Sequence, residues 1–98
     1  MRIVMLMKWD GITPAQYDAL RKSVHWEGNM PKGAVFHVAA FGNNAIRVTD
    51  IWESADEMNS FIQNRLMPEV MKMGITSQPQ VETFPVHAIF IPALQRTS

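Results

Sequence analysis

The sequence predicts an α+β domain with the element order β-α-β-β-α-β. Three observations carry this. Helix starts are written at Thr13-Pro14-Ala15-Gln16 and at Ser54-Ala55-Asp56-Glu57, each a capping residue followed three positions later by Gln or Glu. Short apolar runs bounded by turn residues flank both helices. Between them, Asn43-Asn44 separates two such runs as a two-residue hairpin turn would, since Asn tolerates positive φ.

The elements follow in order. Arg2–Trp9 is a buried strand that ends at Asp10-Gly11. The first helix runs from Pro14 to about Val24, with Tyr17, Leu20 and Val24 as its apolar stripe. His25–Gly33, with two Gly and a Pro, reads as loop. Ala34–Gly42 and Ala45–Glu53 are the hairpin strands. Met58, Phe61, Ile62, Leu66, Val70 and Met73 then recur at helical spacing, with Pro68 expected to kink or divide the helix and Gly74 to stop it. Val81–Ile91 is the last strand, and Pro85 favours an edge position for it. Right-handed crossovers place both helices on one face of an antiparallel sheet of order 4-1-3-2, the ferredoxin-like arrangement. At 98 residues the chain holds one domain, 1–98.

Composition narrows the function. Nine basic and nine acidic side chains leave no net charge, so the driving force for nucleic acid is missing. The absence of cysteine removes disulfides, thiolate metal sites and a Cys nucleophile. Residues 2–9 are too short to span a membrane, and a soluble, cytoplasmic protein is expected. No glycine-rich phosphate loop, Rossmann fingerprint, G-x-S-x-G elbow or zinc spacing occurs, so no nucleotide cofactor and no metal is expected.

The strands carry apolar residues on both faces. Val35, Ala39 and Phe41 alternate with Phe36, Val38 and Ala40 in the second strand, and the fourth repeats the pattern. Two helices cover one face of a four-stranded sheet only. A second copy of the sheet is the simplest cover for the other, which gives a homodimer.

A two-residue turn sets Phe41 opposite Ile46, His37 opposite Asp50 and Val35 opposite Trp52. His37 and Asp50 become a cross-strand pair among apolar residues. Two readings stand: a general acid–base unit, or a pair that satisfies itself within a core. His87, mid-strand, joins the site as a third candidate catalytic residue if its face is the same. Trp52, Val35 and Phe41 are candidate walls of a pocket for a small hydrophobic or aromatic molecule. Trp26 sits in a loop that can cover the pocket mouth. Tyr17 reads as packing, and Arg47 and Arg65 as solvated.

Asp50-Ile51-Trp52-Glu53-Ser54, Phe61, Arg65-Leu66-Met67-Pro68, Gly33-Ala34-Val35-Phe36-His37 and Pro85-Val86-His87 together resemble the dimeric α/β-barrel superfamily. The nearest likeness is to its antibiotic-biosynthesis-monooxygenase-like branch, which includes many uncharacterised members. The resemblance implies a homodimer with face-to-face sheets and a cavity between sheet and helices. It also implies oxidation of polyphenolic substrates by oxygen without metal or flavin, or else cyclase or isomerase chemistry. A non-catalytic ligand-binding or structural homodimer is the alternative. Haem-degrading relatives place a His on the second helix, and residues 55–73 contain none.

Overall fold

Alternation along β1 (Ile3–Asp10) buries Ile3, Met5 and Trp9 on one face and leaves Leu6 and Lys8 on the other. A computed structural model describes residues 1–95 and builds the rest of the fold around this strand. It pairs antiparallel with β3 (Ala45–Trp52) on one side and β4 (Gln80–Pro85) on the other, and β2 (Ala34–Gly42) completes the order β2-β3-β1-β4. This is the ferredoxin-like α+β sheet that the sequence predicts.

The first capping box forms as written. Thr13 Oγ1 accepts the Gln16 N–H at 3.1 Å, and Gln16 Oε1 accepts the Thr13 N–H at 2.9 Å, so α1 (Pro14–Ser23) starts there. Ser54 caps α2 (Ala55–Phe61) by accepting the Glu57 N–H at 3.2 Å. The second helix is divided ahead of Pro68. A single π-helical turn, Ile62–Leu66, links α2 to α3 (Met67–Lys72), and the Met67 N–H reaches Ile62 O, five residues back. Pro68 has no N–H for Asn64 O, and its ring crowds that carbonyl; the wider turn relieves both.

Both helical segments lie on one sheet face. The core between them and the sheet contains Met5, Trp9, Leu20, Val24, Ile46, Val48, Trp52, Met58, Phe61 and Val70. Trp9 Nε1 donates to Ser77 Oγ at 3.0 Å, which fastens the segment before β4 to the sheet.

Two expectations about strands need correction. β4 ends at Pro85 rather than Ile91, because Pro85 lacks the donor that would continue the ladder; only the Val86 N–H still reaches Arg2 O, at 3.0 Å. The β2–β3 register also shifts between Ala34 and Phe36. Ala34, not Val35, pairs with Trp52, and Val35 bulges out at 38% exposure. Beyond that bulge the register is the predicted one, with His37 opposite Asp50 and Phe41 opposite Ile46.

Asn43 and Asn44 have φ of 52° and 62°, as a type I′ turn requires. Asn44→Val should cost about 1–2 kcal/mol, since a β-branched residue is strained at positive φ. Asn44→Gly should be close to neutral. Urea unfolding of both variants checks this, and equal losses would show that the turn does not set the hairpin.

Candidate functional site

Parity decides which side chains meet. In β3, Ile46, Val48, Asp50 and Trp52 face the helices, and β2 contributes His37 and Ala39 to the same face. Asp50 is 5% exposed, a carboxylate among Trp, Met and Val side chains, and is the buried charged group among the described residues. Such a group is tolerated only when both oxygens find donors. Asp50 Oδ1 lies 2.5 Å from His37 Nδ1, and Oδ2 accepts Trp52 Nε1–H at 3.2 Å.

The carboxylate only accepts, so the network assigns the hydrogen to His37 Nδ1. Nε2 is then an acceptor, and Tyr17 Oη lies 2.6 Å from it. The Tyr17 and His37 rings are 6° from parallel, with centroids 6.1 Å apart. At that separation the phenol meets the imidazole nearly edge-on, with its hydrogen along the Nε2 lone pair. Four side chains thus form one chain of hydrogen bonds, from Tyr17 through His37 and Asp50 to Trp52.

The chain runs along the wall of a cavity of about 80 Å³ between sheet and helices. Met5, Met7, Leu20, Val48, Met58 and Phe61 are among the apolar residues of the remaining lining, which also includes Arg21. Trp26 closes one side. Its ring stands 4.7 Å from His37, 5.3 Å from Phe61 and 6.2 Å from Trp52, centroid to centroid. The loop that carries Trp26 is tied down by Arg65, whose Nη2 donates to Val24 O at 2.5 Å and Asn29 O at 2.6 Å. Arg65 is therefore a strut rather than the solvated cation expected.

Four of the candidate residues come together here: His37, Asp50, Trp52 and Trp26. Three do not. Val35 is displaced by the bulge. Phe41 packs on Tyr17, edge to face at 6.0 Å, and lines a groove by Gly11 and Pro14 instead. His87 lies past the end of β4 in a groove with Val4, Phe36 and Ile51, which belong to the opposite face of the sheet. It cannot join His37. Among the described residues no three His, Asp or Glu side chains gather as a metal site requires.

Tyr17, expected as a packing residue, joins the site through its bond to His37. A signal existed: it is the one member of the α1 stripe with a polar tip, and a buried hydroxyl needs a partner on the strand it faces.

Burial pushes the Tyr17 phenol above its ordinary value of 10.0; the nearby Arg21 guanidinium opposes this, and the Asp50, Asp18 and Glu27 carboxylates reinforce it. Tyr17 is the chain's single tyrosine, so tyrosinate absorbance reports it alone. The midpoint should lie above 10.0 in the folded protein. Between the unfolded and folded values the native state binds the extra proton, so stability should fall as pH rises through that window. Tyr17→Phe should remove this fall. A folded midpoint at or below the ordinary value would contradict the buried bond.

No protein-family model matches the chain, and no curated protein matches it significantly in sequence. Solved structures do. A protein of unknown function from Nitrosomonas europaea superposes with a TM-score of 0.70 at 15% identity, over 93% of this chain and 94% of its own. A candidate antibiotic biosynthesis monooxygenase from Chloroflexus aurantiacus J-10-fl gives 0.63 at 18%, over 93% and 99%. SnoaB, a cofactor-independent oxygenase from Streptomyces nogalater, gives 0.66 at 13%, over 90% and 95%. The chain shares its fold with antibiotic-biosynthesis-monooxygenase-like proteins, and at these identities the likeness is one of fold. No helix among the described residues is long and apolar enough to cross a membrane.

Proposed function

We propose that the protein is a small enzyme of acid–base chemistry, working without a cofactor on an apolar aromatic or polyketide-like molecule in the cavity between sheet and helices. The observation that carries this is the buried His37–Asp50 pair, set as a base with its orienting carboxylate on the wall of a largely apolar pocket whose other polar lining residues are Tyr17 and Arg21. The pair stores the proton lost by the substrate, and Trp26, Trp52 and Phe61 hold its ring.

Removal of a proton leaves an enolate or phenolate, which molecular oxygen can attack directly. For a methylene oxidised to a carbonyl, CH2 and O2 give C=O and H2O. The substrate supplies the electrons, so neither metal nor flavin is called for. Without oxygen, reprotonation at another atom of the same anion is isomerase or cyclase chemistry. The cofactor-independent oxygenase among the structural neighbours supports the oxygenase form.

Cavity size supports a second reading. An apolar void of about 150 Å³ accepts a benzene ring, and the observed 80 Å³ falls short of it. A ring enters only if Trp26 swings out with its loop. If it does not, the protein is a non-catalytic or structural dimer.

The test follows deuterium uptake at the α-carbons of 2-tetralone, an enolisable ketone with one aromatic ring, under nitrogen. Wild type should exceed the buffer rate, and His37→Gln should lose about 10²–10⁴-fold of the excess. Tryptophan fluorescence should change on binding. No excess exchange and no fluorescence change would favour the non-catalytic dimer.

The proposal includes a homodimer through the open sheet face. Leu6, Val38 and Phe84 there are 40%, 47% and 48% exposed, beside Val4, Phe36 and Ile51. Sedimentation at micromolar concentration should give twice 11.1 kDa, and Leu6→Lys with Val38→Lys should give the monomer. A well-folded wild-type monomer would sink this part of the proposal.

A further inference from the structure

His37 has no ring nitrogen free to meet a ligand. Nδ1 is bonded to Asp50 and Nε2 to Tyr17, at 2.5 Å and 2.6 Å. A base with both nitrogens engaged acts only through a neighbour. Asp50 accepts, so it is not that neighbour on the cavity side. Tyr17 lines the cavity, and its hydroxyl, having donated its hydrogen to Nε2, keeps lone pairs for a further donor. Among the described residues Tyr17 Oη has no other hydrogen-bond partner.

We propose that Tyr17 is the catalytic residue of the site, the group that takes the proton from the substrate, with His37 and Asp50 as positioning residues behind it. This rests on the acid–base reading above. In the step, a substrate C–H or O–H bond breaks and its proton forms a new O–H bond at Tyr17 Oη. The proton that Tyr17 held moves to His37 Nε2, and the electron pair stays on the substrate. The imidazolium so formed is held by the Asp50 carboxylate, whose second oxygen is fixed by Trp52. One neutral acid and one neutral imidazole become an anion and a cation, and no oxidant is consumed.

The relay also selects the substrate class. The new anion gets one hydrogen bond, from Tyr17, and otherwise faces mainly Met, Leu, Val and aromatic side chains, with Arg21 as the cationic member of the lining, its guanidinium 5.9 Å from the Tyr17 ring. A localised charge is costly there. The site therefore suits flat apolar acids whose conjugate bases spread charge over a ring, such as phenols and enolisable aryl ketones. Aliphatic alcohols and simple carboxylic acids do not fit.

The experiment uses the 2-tetralone exchange assay with Tyr17→Phe, His37→Gln and protein grown on 3-fluorotyrosine. Because the chain has one tyrosine, fluorination alters Tyr17 alone and keeps its hydroxyl and shape. Tyr17→Phe should lose about 10²–10⁴-fold of the exchange, as much as His37→Gln. The more acidic fluorinated phenol should move the pH profile of exchange toward acid, which a merely structural hydroxyl would not do, and it also serves if Tyr17→Phe fails to fold. The ring nitrogen-15 shifts of His37 should show Nδ1 protonated and Nε2 bare. Exchange kept in Tyr17→Phe but lost in His37→Gln, an unmoved pH profile, or a protonated Nε2 would overturn the relay and leave the acid–base reading standing. Wild-type exchange no faster than buffer would overturn both.

Discussion

A carboxylate buried as deeply as Asp50 must have a donor for each oxygen, and much of the site follows from meeting that need. One donor is the indole of Trp52, two residues on and on the same face of β3. Its N–H fixes the plane of the indole, against which Phe61 and Trp26 then pack. The other donor is His37 Nδ1. Donation from Nδ1 sets the tautomer, and the tautomer sets Nε2 as an acceptor, which the α1 phenol fills. Sheet, first helix and covering loop are thus oriented through one ionised group. Burying it without these partners would cost several kcal/mol.

A separate constraint, Pro68, governs how the second helix meets the sheet. The π-helical turn ahead of Pro68 widens the helix where Ile62 and Leu66 reach the cavity. It also carries Arg65, which lies over the Phe61 ring at 5.4 Å and bonds two carbonyls of the Trp26 loop. The loop keeps few backbone hydrogen bonds of its own, such as Asn29 N–H to His25 O at 2.7 Å, and His25 in it holds a φ of 55°. Arg65 Nη2 adds two charge-assisted bonds to the carbonyls of Val24 and Asn29. Widening the helix and anchoring the loop are therefore linked, and both follow from the proline.

How much of this was legible in the sequence depends on whether the cause was local. The Thr13–Gln16 capping box, the Ser54 cap, the Asn43-Asn44 turn and the resulting His37–Asp50 register are fixed by residues a few positions apart, and the structure has them; at Ser54 only half of the predicted box forms, since the Glu57 carboxylate takes the Ser54 hydroxyl rather than its N–H. The Val35 bulge is not local. It follows from Gly33, at φ 87°, whose carbonyl accepts the Glu53 N–H at 2.8 Å and draws the start of β2 out of step. His87 was misplaced because strand length was read from apolar content, which does not register a missing ladder donor at Pro85. The sequence marks Tyr17 as filler and Arg65 as a solvated charge, because what each meets depends on how its helix is rotated over the sheet. Periodicity gives the stripe and not the partner.

Alternation also separates the two faces of the sheet. Asp50 and Ile51 are neighbours in sequence, as are Phe36 and His37, yet one of each pair faces the buried hydrogen-bond chain and the other the open apolar face. β2 is an edge strand, so His37 is held on one side only by β3. An edge strand frays more readily than a central one, and a shift of about 1 Å would stretch the bonds of His37 to the limit of hydrogen bonding. In the proposed homodimer the second sheet would press on Phe36 and Val38 from the open face. It would brace β2 against β3 without contributing a side chain to the relay. Assembly and chemistry would then be coupled through the position of one strand, although the residues serving each lie on opposite faces.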